Sequence, residues 1–115
     1  MKVGIIGGGN LGSSLVRGFL RASLLSPDEI LVSDVNEQSL GRLQKLGVQA
    51  TTDNKKLVKD SDVVFIAVKP AVVESVLGEV KDFSDGKLFV SVAAGVPIGF
   101  IESRTNARVV RAMPN

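Results

Sequence analysis

Short apolar runs alternate with helix-like segments along this 115-residue chain, and no other feature constrains the fold as strongly. Each run is nearly continuous in Val, Ile, Leu, Phe and Ala, which is typical of strands buried on both faces of a parallel sheet. The predicted strands cover residues 2–7, 30–34, 48–51, 62–68, 87–93 and 108–113. We therefore expect an α/β fold with a doubly wound, mostly parallel six-stranded sheet and helices on both faces.

Five helices are predicted between the strands, from apolar spacing and from residues that begin or end helices. The first covers residues 10–24, the second begins after Asn36 and ends at Gly47, and the third begins after Asp53. The fourth covers residues 72–80, and the fifth has Pro97 in its first turn. A length of 115 residues and a hydrophobic content of 44% fit one domain with a packed core, so residues 1–115 are taken as one unit.

The turn after the first strand reads Gly-Gly-Gly-Asn-Leu-Gly at residues 7–12, which contains the pattern G-x-G-x-x-G. Gly7 permits a tight turn, Gly9 lets a pyrophosphate approach the backbone, and Gly12 lets the helix pack closely on the strand. The first N–H groups of the helix then face the phosphates. Because the pattern follows a strand and opens a helix, it predicts a Rossmann-type dinucleotide-binding domain. A glycine-rich turn without a ligand is the alternative.

Asp34 ends the second predicted strand, where a carboxylate can accept hydrogen bonds from the adenosine ribose. A 2′-phosphate would meet a negative charge there, and no Arg directly follows Asp34. The residue therefore favours NADH over NADPH. A solvated loop carboxylate or an auxiliary helix cap is the other interpretation.

Two further loops are expected to meet the glycine turn at the carboxyl ends of the strands. They contain residues 68–71 and 93–97, which combine Pro with small residues, so that a flat ring can lie close to the backbone. Lys69 is either a solvated charge or a contact to cofactor or substrate. Ala94 and Gly95 either line the site or serve only close helix packing.

Several function classes are disfavoured by composition. The chain has no Cys, which excludes thiolate metal sites, and no His or Tyr, which disfavours most hydrolase mechanisms, so no metal site is expected. The net charge is only +2, and the charges are scattered, so no nucleic-acid partner is expected. No apolar stretch has the length of a signal peptide or a membrane span, so we expect no membrane contact and a cytoplasmic location.

Four segments resemble pyrroline-5-carboxylate reductases, in the order in which that family carries them. They are the glycine turn at residues 6–12, the Ala-Val-Lys-Pro of residues 67–70, the Ser-Val-Ala-Ala-Gly-Val of residues 91–96 and the Val-Arg-Ala-Met-Pro-Asn of residues 110–115. The resemblance covers the whole chain. It implies an NAD(P)H-dependent oxidoreductase that reduces the cyclic imine 1-pyrroline-5-carboxylate to proline, the last step of proline synthesis.

The resemblance also implies roles for individual residues. Together with the motif analysis, which supplies Gly12 and Asp34, it gives the residues predicted to bind the cofactor, namely Gly7, Gly8, Gly9, Asn10, Leu11, Gly12, Asp34, Asn54, Ala67, Val68, Lys69, Pro70, Ala94 and Gly95. Asn54 would approach the adenosine ribose, and Asn115 would lie near the nicotinamide and the substrate. No catalytic residue is assigned within this chain. The family often uses NADPH and carries neutral or basic residues after the second strand, so Asp34 departs from its pattern.

In the family, a C-terminal helical domain supplies the dimer interface and much of the substrate site, and this chain does not include it. We therefore expect the isolated chain to be inactive and the full-length parent to be a homo-oligomer. Two alternatives stay open at this point. One is a freestanding NAD-sensing module, and the other is the cofactor domain of a related hydroxyacid or imine dehydrogenase.

Overall fold

The computed structural model describes residues 1–112. Its strands are β1 (Val3–Ile6), β2 (Ile30–Ser33), β3 (Gln49–Thr51), β4 (Val63–Ile66), β5 (Leu88–Ser91) and β6 (Arg108–Arg111). Its α-helices are α1 (Asn10–Arg21), α2 (Glu37–Gln44), α3 (Asn54–Asp60), α4 (Pro70–Val80) and α5 (Ile98–Ser103), with single 3-10 turns at Pro27–Glu29 and Lys81–Phe83.

All six strands lie in one sheet in the order β3-β2-β1-β4-β5-β6, and every pair is parallel. The expected α/β fold is therefore confirmed, and the sheet is wholly parallel rather than mostly so. The strand order reverses between β1 and β4, which lie side by side. In doubly wound sheets a ligand binds at such a switch point, outside the carboxyl ends of the strands.

The helices form one layer on each face of the sheet. On one face α1 and α2 bury Val16, Leu40 and Leu43 against β1 and β2. On the other face α3, α4 and α5 bury a larger apolar cluster that includes Leu77 and Ile101. Strands covered on both faces have little surface left for polar side chains, which explains their near-continuous apolar sequences.

Helix α1 ends three residues before the predicted end at residue 24. Ser23 takes a left-handed conformation with φ of 56°, the backbone N–H of Ser23 donates to the carbonyl of Leu20, and that of Leu24 donates to the carbonyl of Phe19. This hydrogen-bond pattern is a Schellman motif, which stops a helix. The helix α5 prediction is also corrected, because Pro97 precedes its first turn and is the N-cap residue.

The predicted strands are longer than the observed ones, mainly at their carboxyl ends. Ala67 and Val68 follow β4 instead of belonging to it, and Asp34 follows β2. Strand β6 ends at Arg111, and Met113, the predicted end, lies outside the described residues. Across residues 1–112 no helix is long and apolar enough to cross a membrane.

Candidate dinucleotide site

A cleft of about 570 Å³ opens at the switch point between β1 and β4. Seven of the residues predicted for the site line it, namely Gly7, Gly9, Asp34, Asn54, Ala67, Val68 and Lys69. These residues come from loops and helix starts that follow β1, β2, β3 and β4. The structure therefore brings together residues that are far apart in sequence.

The glycine turn is held in a conformation that side chains would disturb. Gly7 has a φ of 112°, and a Cβ placed on it would lie 2.7 Å from the carbonyl oxygen of Ala67. A Cβ on Gly12 would collide with the carbonyl oxygen of Gly7. The first and third glycines of the pattern are thus required by backbone conformation and by the close approach of α1 to β1.

The middle glycine of the pattern differs from these two. Gly9 lines the cleft as the N-cap residue of α1, with an ordinary φ of −75°. A Cβ on Gly9 would meet no heavy atom of residues 1–112 within 4 Å. Within the same residues no side chain caps the helix, and its first turn carries no acidic residue. The N–H groups at the start of α1 are therefore open toward the cleft, as an anion such as a pyrophosphate requires.

Asp34 is fixed by two backbone hydrogen bonds. Its Oδ2 accepts from the N–H of Gly8 at 2.8 Å, and its Oδ1 accepts from the N–H of Asn36 at 2.9 Å. Asn36, and not Asp34, caps α2 by accepting from the N–H groups of Gln38 and Ser39. The carboxylate is half-buried and lines the cleft, so it braces the glycine turn while its remaining lone pairs stay available.

Asn54 is the first residue of α3 and lies in the wall of the cleft. Its Oδ1 accepts from the hydroxyl of Ser33 at 2.6 Å, and its Nδ2 donates to Oε1 of Glu79 at 3.2 Å. Ser33 is fully buried at the end of β2. The amide therefore has a defined orientation at the edge of the cleft.

Other predicted site residues lie at the same end of the sheet but outside the lining of this cleft. Gly8, Asn10, Leu11 and Gly12 support the glycine turn, and Pro70 opens α4. Ala94 and Gly95 follow β5 and are exposed, with a φ of 75° at Gly95. Asn115 lies outside the described residues.

Sequence reasoning missed one flank of α4. Val72, Ser75, Val76 and Glu79 line the cleft, at the spacing of neighbouring positions on a helix. Only the buried apolar face of this helix was read from the sequence, and the spacing of its exposed residues could have revealed the second face. Val35 was also missed, although it follows Asp34, lines the cleft and is 91% exposed.

Carboxyl groups with displaced pKa values lie at the other end of the molecule. The hydroxyl of Ser26 donates a hydrogen bond to Asp28 and lowers its pKa. The backbone N–H of Ser26 donates to Glu29 and is the main cause of its lowered pKa. The ammonium group of Lys56 lowers the pKa of Asp60. None of these three carboxyl groups lines the cleft at the switch point.

The parallel sheet, its switch point and the open start of α1 together define a class, the Rossmann-type dinucleotide-binding domains. More particularly, the chain belongs to the family described as NADP oxidoreductase coenzyme F420-dependent, whose model matches residues 2–95.

Relatives with established names confirm the resemblance found in the sequence. The chain is 44% identical to a pyrroline-5-carboxylate reductase of Methanosarcina acetivorans, across 99% of this chain and 44% of that protein. A pyrroline-5-carboxylate reductase structure from Coxiella burnetii shares 36% identity with a TM-score of 0.93, over 99% of this chain and 44% of that one.

A third relative was solved with NADP bound. It is the pyrroline carboxylate reductase of Plasmodium falciparum, which is 26% identical, with a TM-score of 0.85 over 100% of this chain and 42% of that one. The chain thus spans less than half the length of these relatives.

Proposed function

We propose that this chain is the NAD(P)H-binding part of a pyrroline-5-carboxylate reductase, an oxidoreductase that reduces 1-pyrroline-5-carboxylate to proline. The observation that carries the proposal is the uncapped start of α1 beside the glycine turn, which opens onto a cleft at the switch point. The identity to named reductases supports the choice of reaction. The bound cofactor would supply the hydride.

The residues of the cleft fit a dinucleotide in two ways. The start of α1 offers N–H donors to the pyrophosphate, and Gly9 leaves space for it. At the adenosine end, Asp34 offers an acceptor and Asn54 a donor, which suits the two hydroxyls of a ribose. The carboxylate of Asp34 favours NADH, because a 2′-phosphate would be repelled by it.

Several expectations stay proposals. The substrate is a small cyclic imine, the parent enzyme is a homo-oligomer in the cytoplasm without a nucleic-acid partner, and this chain alone is inactive. The substrate-side role of Asn115 and the cofactor contacts of Pro70, Ala94 and Gly95 also remain predictions. An assay of the purified chain with 1-pyrroline-5-carboxylate and NADH tests its inactivity, and turnover at the rate of a full-length reductase would contradict it.

The decisive experiment places a charge in the phosphate position without disturbing the fold. Gly9→Asp puts a carboxylate into open space at the start of α1, where Asp is also a favourable N-cap. We expect this variant to keep or raise the unfolding temperature and to weaken NADH binding at least about ten-fold, because the carboxylate repels the pyrophosphate. Titration calorimetry with NADH and NADPH measures both affinities.

The matched control is Gly18→Asp, which adds the same charge to the exposed side of the same helix. Its NADH affinity should equal that of the wild-type chain. Failure of the wild-type chain to bind either dinucleotide, or undiminished binding by Gly9→Asp, would refute the cofactor assignment.

A further inference from the structure

Glu79 is a polar residue of the cleft that neither the motifs nor the family resemblance singled out. It lies near the end of α4, is exposed to solvent, and accepts a hydrogen bond from Nδ2 of Asn54 at 3.2 Å. Asn54 begins α3, so this bond joins two helices at the wall of the cleft.

The opposite side of the same amide is held by Ser33. The hydroxyl of this fully buried residue lies 2.6 Å from Oδ1 of Asn54. Both ends of the amide therefore have a partner, one from the sheet and one from α4.

The two partners differ in what they permit. A hydroxyl can donate or accept, so Ser33 would tolerate either orientation of the amide. An ionised carboxylate can only accept, and a flipped amide would aim its oxygen at the negative charge of Glu79. Glu79 is therefore the partner that selects the orientation with Nδ2 on its own side.

In this orientation Asn54 retains a donor for a ligand. Nδ2 carries two hydrogens, and Glu79 is its one protein acceptor among residues 1–112. Asn54 and Asp34 both line the cleft, one with a spare N–H and the other with spare carboxylate lone pairs. Two neighbouring sugar hydroxyls offer the matching acceptor and donor.

We propose that Glu79 is a positioning residue for cofactor recognition, which fixes the amide of Asn54 so that an N–H is available to a ribose oxygen of the dinucleotide. This role rests on the proposed function, because it needs a ribose at that place. Glu79 acts through Asn54 and needs no contact of its own with the ligand.

A double-mutant cycle tests this role with the 115-residue chain and NADH. Glu79→Ala should weaken NADH binding about five-fold, as expected for the loss of one well-placed hydrogen bond. In the Asn54→Ala background the same change should have no further effect, because the residue through which Glu79 acts is gone. Glu79→Gln keeps the size of the side chain but can donate as well as accept, so it no longer selects one orientation of the amide and should restore only part of the affinity.

Glu74→Ala is the matched control. Glu74 lies on the same helix, pairs with Arg104 at 2.8 Å and does not line the cleft, so this change should leave NADH affinity unaltered. Equal weakening by Glu79→Ala in both backgrounds would show direct contact with the ligand and would overturn the proposal. So would an undiminished affinity of Glu79→Ala in the wild-type background.

A ligand-free measurement separates this proposal from the cofactor assignment. The side-chain amide signals of Asn54, identified by their loss in Asn54→Ala, should shift in the NMR spectrum of Glu79→Ala. They should not return fully to their wild-type positions in Glu79→Gln, because a Gln side chain permits both orientations of the amide. Unchanged signals would show that Glu79 does not orient the amide, whether or not NADH binds. Shifted signals in a chain that binds no dinucleotide would instead refute the proposed function and the ribose contact, while confirming the orientation.

Discussion

The helices of this domain begin in two different ways. Asn36 caps α2, and Asp53 caps α3 by accepting from the N–H groups of Lys55 and Lys56 at 2.9 and 3.2 Å. By contrast, the residues before α1, α4 and α5 provide no side-chain cap within the described part of the chain. The capped helices follow β2 and β3, whereas the uncapped ones follow β1, β4 and β5.

The starts of α2 and α3 also border the cleft, but their side-chain caps occupy N–H groups of the kind that α1 leaves open. A side-chain cap stabilises a helix by about 1 kcal/mol, so three uncapped helices forgo stabilisation that the sequence supplies elsewhere. Open N–H groups at a helix start can instead bind an anion. The uncapped starts of α1 and α4 both border the cleft, through Gly9 and Lys69.

The largest effect is expected where α1 approaches β1. Gly12→Ala places a Cβ against the carbonyl oxygen of Gly7, so α1 must shift. We expect a loss of about 2–3 kcal/mol in the free energy of unfolding, as for other overpacked sites, and a loss of NADH binding. Denaturant unfolding followed by circular dichroism measures the first effect, and calorimetry the second.

Gly18→Ala is the control for this prediction. It makes the same change in the same helix at a position with open space, and should stabilise the protein by about 0.5–1 kcal/mol because Ala is the better helix former. Equal stability of the Gly12→Ala and Gly18→Ala variants would show that the close approach of α1 is unimportant.

A smaller effect is expected at Asp34, which faces the cleft next to the capped helix α2. Asp34→Asn should shift the ratio of NADPH to NADH affinity about ten-fold toward NADPH, because it removes the charge that a 2′-phosphate would meet. The ratio is the right measure, since the change also weakens the brace on Gly8 and lowers both affinities. The control is Asp62→Asn, which lies just before β4 at the amino ends of the strands, away from the cleft, and should leave this affinity ratio unchanged. An unchanged ratio in Asp34→Asn would remove this residue from cofactor selection.

The smallest effects come from exchanging the two kinds of helix start. Asp53→Ala removes the cap of α3 and should cost about 1 kcal/mol of unfolding free energy. Lys69→Ser gives α4 a cap and should add about 0.5 kcal/mol, while weakening NADH binding through loss of a positive charge. Thermal unfolding and calorimetry report the two quantities. A Lys69→Ser variant with unchanged affinity would show that this lysine is only a solvated charge.

Much of the fold could be predicted because strands buried on both faces of the sheet have nearly continuous apolar sequences. All six strands were found from their apolar runs. Their ends were less accurate, because Ala67 and Val68 continue the apolar run after the pairing of β4 has stopped. The predicted end of α1 was wrong because the left-handed residue that stops the helix is Ser23 and not a glycine, which would have marked the end in the sequence.

The site was predictable where backbone conformation dictates the residue type. Gly7 and Gly12 are glycines for steric reasons, which a sequence pattern records directly. The contact of Glu79 with Asn54 could not be predicted from a sequence pattern, because it depends on how α3 and α4 pack and not on local spacing. Ala94 and Gly95 lie outside the lining of this cleft, and their contact with the cofactor stays a prediction.

The edge strands have a consequence for how copies of this chain behave at high concentration. Strands β3 and β6 end the sheet of residues 1–112, and an unpaired strand is a template for pairing with another chain. β3 has only three residues, and in β6 the exposed Val110 is accompanied by the exposed charges of Arg108 and Arg111. A short strand and a positively charged one both pair poorly with copies of themselves, so the sheet resists growing into an aggregate at either edge.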